Sequence, residues 1–181
     1  MEMKETTLSR RDIFKGRIMT IHEDEVLLPD GNTAKREILD HNGGVCVAAM
    51  DEKGRLAFVH QFRYAYGKVI TELPAGKLEK GEEPDEAIKR ELREEVGAEG
   101  HDWKKLGTLF PSPGYTSEII HLYFCRLGKM GAQELDEDEF LDVDFIDLFE
   151  ARDMVMRGEI EDSKSQTLIL KTAYLAEKGQ L

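Results

Sequence analysis

The stretch Gly76-Lys77-Leu78-Glu79-Lys80-Gly81-Glu82-Glu83-Pro84-Asp85-Glu86-Ala87-Ile88-Lys89-Arg90-Glu91-Leu92-Arg93-Glu94-Glu95-Val96-Gly97-Ala98 decides how this chain is read. Pro84 suits the first turn of a helix, where its missing N–H is no loss. Gly97 suits the position just past a helix end, where the backbone turns left-handed. The pattern predicts a helix from Pro84 to about Val96, entered from the loop Gly76–Glu83. On such a helix Glu91, Glu94 and Glu95 are spaced i, i+3, i+4 and share one face. That face borders the apolar stripe Ile88, Leu92 and Val96, while Glu86, Lys89 and Arg93 fall on the solvated side.

Three neighbouring carboxylates make poor sense for stability alone. They repel one another, and two sit near the negative end of the helix dipole, each clash costing a few tenths to about 1 kcal/mol. A hard divalent cation removes the conflict. Oxygen-only ligands favour Mg²⁺ or Mn²⁺ over zinc. Mg²⁺ commonly joins a few carboxylates to substrate phosphates, so the implied substrate carries phosphate. The bland alternative is a solvated helix held by pairs such as Arg90 with Glu94. Seven specified residues at fixed offsets weigh against it. Average usage of about 6% per residue type makes a chance match on the order of 10⁻⁹ per window, though less extreme in a chain rich in Glu. Arg90 also suits a supporting role, orienting the carboxylates.

The segment resembles the signature of the Nudix hydrolases, which cleave a nucleoside diphosphate linked to another group. Gly76, Glu82, Arg90-Glu91, Glu94-Glu95 and Gly97 fill the required positions, and Leu92 fills an aliphatic one. Ala98 departs from the bulkier aliphatic usual there, a packing difference that leaves the ligands alone. Glu72-Leu73-Pro74-Ala75-Gly76-Lys77-Leu78-Glu79 and Gln61-Phe62-Arg63-Tyr64 are similar to strings of the ADP-ribose pyrophosphatase branch. That branch also tends to carry a proline 16 residues after the last signature glycine, which here is Pro113. The likeness runs from about Phe14 to Tyr174.

The resemblance implies roles position by position. The Ala75 carbonyl, Glu91, Glu94 and Glu95 match metal ligands, Glu94 and Glu95 also stand among the catalytic carboxylates, and Glu82 matches a supporting one. A further acid comes from a mobile loop after the core strands, where Glu134-Leu135-Asp136-Glu137-Asp138-Glu139 fits. Glu139 is favoured to position or deprotonate the water, with Glu137 second; a solvated acidic loop is the alternative. Arg63, Arg36 and Glu72 match substrate-binding positions, with surface salt bridges as the other reading of the two arginines. The implied reaction is Mg²⁺-dependent hydrolysis of ADP-ribose to AMP and ribose 5-phosphate, the ions bridging diphosphate oxygens and acidifying a bound water. One rival is another nucleoside-diphosphate sugar such as GDP-mannose, or a dinucleotide. A rival of another class is a catalytically silent ADP-ribose sensor, against which every signature acid is present.

The 181 residues fit one domain with an added N-terminal element, and the formal charge of −12 with pI near 4.9 opposes binding to nucleic acid or anionic membrane. Cys46 and Cys125 lie in apolar runs and read as core residues of a reducing compartment, with cytoplasm as the default location. No apolar run is long enough to span a bilayer, and Met1–Asp12 lacks an apolar signal core. The five histidines are dispersed and show no ligand spacing.

Strands are expected over Arg17–Leu28 and Lys35–His41 about the turn Pro29-Asp30-Gly31-Asn32, then Gly44–Met50, Arg55–Phe62, Lys68–Leu73, Trp103–Phe110, Ile119–Arg126 and Leu141–Ile146. Helices are expected over Asp147–Arg157 and Ser163–Ala176. That order argues for α/β or α+β layering, and the resembled family is an α/β/α sandwich around a mixed sheet. Residues 1–42 read as an N-terminal hairpin too small to be stable alone, and 43–181 as the hydrolase domain. In the resembled branch the N-terminal region packs on a second subunit, so a homodimer is expected, against a strand pair folding onto its own domain. Phe14, Tyr64 and Tyr66 are candidates for stacking on adenine, although single aromatics are more often core.

Overall fold

The computed structural model describes residues 3–137 and 139–181. They divide into two compact units. One is the chain up to Gly43 together with Phe110–Ile119; the other joins Gly44–Leu109 to Ile120–Leu181.

The first unit is an antiparallel sheet of β1 (Thr6–Lys15), β2 (Met19–Leu27) and β3 (Thr33–His41), in that order. Its buried centre is polar. Arg10 grips Asp24 through two 2.9 Å bonds, and His22 Nδ1 lies 2.9 Å from the same carboxylate. Leu39 bridges to Thr116, tying 110–119 to β3. β1 was not legible in advance. All its residues are exposed, so burial imposes no alternation, and register shifts at Thr7/Ser9 and Asp12/Phe14 break what period remains.

The second unit is built on a mixed sheet whose order is β10 (Leu141–Asp147), β5 (Arg55–Arg63), β4 (Gly44–Met50), β9 (Ile120–Met130), β8 (Ala98–Leu109). β6 (Lys68–Glu72) pairs with β5, and β7 (Ala75–Lys77) with β4. Only β4 and β9 run parallel among these pairs. β4 is buried along its whole length because both faces are covered, which explains its unbroken apolar run. Its side chains alternate. Val45, Val47 and Ala49 pack with Ile88, Leu92 and Val96 from the signature helix. Cys46, Ala48 and Met50 pack with Leu148, Leu168 and Ile169 from α2 (Leu148–Arg157) and α3 (Ser163–Glu177) on the other face. Helix, sheet and helix therefore form three layers, each fully buried Leu, Ile, Val or Phe contributing about 1.5–3 kcal/mol. Cys46 and Cys125 belong to opposite faces and are free. No helix among the described residues is long and apolar enough to cross a membrane.

The signature helix differs from the straight run expected. α1 covers Pro84–Glu91, and Leu92–Val96 continue as a wider π-helical turn. Gly97 ends it at φ 68° in the left-handed region, the role its position implied.

Candidate active site

The β4 partner β7 carries Ala75 and Gly76 past the C-terminal half of the signature helix. Glu95 Oε2 accepts the Ala75 N–H at 2.9 Å. Gly76 lies so near Glu91 that a Cβ would meet its carboxyl carbon at 1.8 Å. Both carboxylates are withdrawn from water, Glu91 at 8% and Glu95 at 3% exposure. Burial disfavours their charged forms. It pushes Glu91 up to about 7, opposed by Arg90 and reinforced by the charges of Glu94 and Glu139. It pushes Glu95 up to about 8, opposed by the Ala75 amide and reinforced by Glu91 and Glu139.

Arg90 is the cation inside this cluster. Nη1 reaches Glu91 at 2.9 Å and Glu94 at 2.8 Å, while Nε and Nη2 each reach Glu82 at 3.0 Å. Glu82 also accepts the Glu79 N–H at 2.9 Å, which fixes the entering loop. Glu82 thus supports the cluster by holding Arg90 rather than by facing the buried pair.

The chain after β9 docks on the π-helical turn. The Glu134 N–H donates to the Glu94 carbonyl at 3.0 Å, and Gln133 Nε2 donates to the Glu95 carbonyl at 2.6 Å. Carbonyls at a helix end lack partners within the helix, and this segment supplies them. The same docking brings the half-buried Glu139 into electrostatic reach of Glu91 and Glu95, whereas Glu137 stays exposed.

Arg63, from the end of β5, forks onto Glu72 with Nε at 2.6 Å and Nη2 at 2.8 Å. Lys164, in the first turn of α3, donates to Oε2 of that carboxylate, the oxygen that Arg63 Nη2 also contacts. Burial opposes ionisation of Glu72, but the two cations hold its carboxyl below the usual range. Arg63 also feels the charge of Glu95, so these residues and the carboxylate cluster form one electrostatic neighbourhood. Arg36, in the first unit, instead forks onto Glu5 at 2.6 and 2.9 Å. Phe14, Tyr64 and Tyr66 are all exposed, and Tyr66 lines a cleft of about 350 Å³ beside Arg63. Lys164, Ser165 and Gln133 were not singled out in the sequence. Their partners lie far along the chain, 92 positions away for Lys164 and Glu72, so no local spacing marks them.

Among the described residues, no three His, Cys, Asp or Glu side chains stand grouped around a single ion. Arg90 takes the place of positive charge between Glu91 and Glu94. The donors still suit a hard divalent cation. They are all oxygen; two are buried with disfavoured charge; and the absent side chain of Gly76 lets the Glu91 carboxylate lie directly against the β7 backbone.

The NUDIX domain model matches residues 40–167. The chain belongs to the Nudix family. A model of the nucleoside diphosphate sugar hydrolase N-terminal domain matches residues 5–39 of this Nudix hydrolase. The chain is 38% identical to an ADP-ribose pyrophosphatase of Bacillus subtilis (strain 168), over 97% of its own length and 98% of the relative's. It is 43% identical to a methanol dehydrogenase activator of Bacillus methanolicus, over 95% and 92%. It is 29% identical to a GDP-mannose pyrophosphatase of Escherichia coli O139:H28, over 96% and 99%. The crystal structure of an ADP compounds hydrolase superposes with a TM-score of 0.86, covering 100% of both chains at 19% identity, and shares the fold. Within the Nudix frame, Gly76 lies in β7, and Glu82, Glu91, Glu94 and Glu95 fall between the end of that strand and Gly97, where the signature lies.

Proposed function

We propose that this Nudix hydrolase cleaves the diphosphate bond of ADP-ribose to AMP and ribose 5-phosphate, as an Mg²⁺-dependent homodimer of the cytoplasm. The observation that carries the reading is the buried pair Glu91 and Glu95, whose charge is disfavoured until a cation joins them. Glu91, Glu94, Glu95 and the Ala75 carbonyl would hold Mg²⁺, or Mn²⁺, which when bound polarises the diphosphate and acidifies a water. Glu139 takes the proton of the attacking water at its carboxylate. Arg63 binds the diphosphate through its guanidinium, which Glu72 orients. The acidic surface makes these local cations necessary for an anionic substrate.

A dimer is supported by β1, which exposes Leu8, Ile13 and Phe14 and buries none of its residues within the chain. A reducing compartment suits the free, buried Cys46 and Cys125. A relative named for activating a dehydrogenase matches almost as much of the chain as the pyrophosphatase, so the hydrolytic reading rests on the carboxylates rather than on names.

The greater identity to the ADP-ribose pyrophosphatase than to the GDP-mannose pyrophosphatase favours ADP-ribose. A panel of ADP-ribose, GDP-mannose, other nucleoside-diphosphate sugars and dinucleotides, each with Mg²⁺ and Mn²⁺, tests this through released phosphomonoester. ADP-ribose is expected to show the highest kcat/KM. A preference for GDP-mannose would replace the substrate, and binding of ADP-ribose without turnover would make the chain a sensor.

A further inference from the structure

The first turn of α3 braces the end of β6. Ser165 Oγ accepts the Leu73 N–H at 2.7 Å and donates to Asp162 at 2.5 Å. Asp162 caps the helix by accepting the Ser165 N–H at 2.9 Å. Lys164 lies 3.0 Å from Asp162 and also donates to Glu72 Oε2, the oxygen that Arg63 Nη2 contacts. Glu72 and Lys164 are both nearly shut off from water, their side chains 3% and 14% exposed, and Arg63 is the partly open member at 37%. Two cations and two anions therefore form one chain of contacts, Arg63–Glu72–Lys164–Asp162, along the wall of the cleft.

We infer that Lys164 is a positioning residue for Arg63, acting through Glu72. A bidentate fork demands that both carboxylate oxygens stay in place. Arg63 alone cannot ensure this, because a diphosphate at its guanidinium competes with Glu72 for the same positive charge. Lys164 anchors Glu72 from the helix side, so the carboxylate keeps its orientation when Arg63 engages an anion. It also balances charge. Without Lys164 the group would be left with Arg63 against Glu72 and Asp162, a net negative wall facing an anionic substrate. The inference rests on the diphosphate-binding role proposed for Arg63.

The test compares wild type, Lys164→Met, Glu72→Gln and the double variant in steady-state kinetics on ADP-ribose with Mg²⁺. The Arg63 Nε–H resonance of the substrate-free proteins is followed in parallel, assigned by its loss in Arg63→Lys. Lys164→Met is expected to raise KM about tenfold while changing kcat by less than about threefold. The double variant should be no worse than Glu72→Gln, since residues acting in series are not additive. The Arg63 resonance should move and exchange faster in Lys164→Met. Additive losses, an unmoved KM or an unchanged resonance overturns the inference. Lys164→Gln, expected to behave likewise, serves if the methionine variant does not fold. If wild type fails to hydrolyse ADP-ribose, the proposed substrate falls, and the resonance alone then decides the role of Lys164.

Discussion

Gly76 and Glu91 share a space that holds only one of two things, a Cβ or the carboxylate, since the two would lie 1.8 Å apart. The glycine is therefore part of how the Glu91 side chain is aimed.

Gly76→Ala should keep the fold, because the clash is with the far end of a side chain. It should displace Glu91 and lower kcat by about 10²-fold, the scale of losing one electrostatic contact to the reacting group. Unchanged turnover in a protein that melts like wild type would show that Glu91 need not sit where it does.

Glu95→Gln keeps size and the Ala75 contact but removes the charge. A drop in kcat of at least roughly 10²-fold is expected. Near-native turnover of that variant sinks the assignment of Glu95.

The raised positions of Glu91, at about 7, and Glu95, at about 8, predict how stability changes with pH. Unfolding restores both to about 4.5, so between these values the folded chain binds more protons than the unfolded one. The pair's contribution is fully present below the unfolded value and is lost as pH rises through the folded values. In EDTA the melting temperature should fall between about pH 4.5 and 8, and Glu95→Gln should flatten that fall. Mg²⁺ should raise the melting temperature, because it binds the folded state alone. Parallel pH profiles for wild type and variant would remove Glu95 from the account.

Glu139 and Glu137 share one acidic run, and the charge of Glu139 raises both members of the buried pair. Glu139→Gln should lower kcat by about 10²-fold, with Glu137→Gln near wild type. The reverse order in kinetic assays would assign the proton acceptor to Glu137.

Size-exclusion chromatography with light scattering should give about 41 kDa, twice the 20.6 kDa chain. Phe14→Ser, on the exposed β1, should shift the mass toward one chain. A 20.6 kDa particle for wild type at micromolar concentration counts against the dimer.

Much of the candidate site's geometry was legible because it is local. Glu91, Glu94 and Glu95, the loop glycine Gly76 and the helix stop Gly97 lie within one short segment, where spacing carries the geometry. β4 was legible for the opposite reason, its two covered faces leaving no room for polar residues. The π-helical turn was not, since it changes backbone hydrogen bonding without changing the side-chain pattern that Leu92 and Val96 present. β1 buries nothing and left no period to read. Lys164 and Gln133 act on Glu72 and Glu95 across long separations, and residue order alone does not reveal such pairings. Nor does it reveal which strand beside β4 runs parallel.

That parallel partner has a consequence for how the enzyme comes into being. β4 is joined to β9 through β5, the signature helix and β8, so its register with Ile120–Met130 can form only after that whole connection has been synthesised. A nascent chain halted before Ile120 holds all the signature acids yet has no β9 strand beneath them. Hydrolytic competence should therefore arise late on the ribosome, in one step, leaving no half-made species to consume nucleotide.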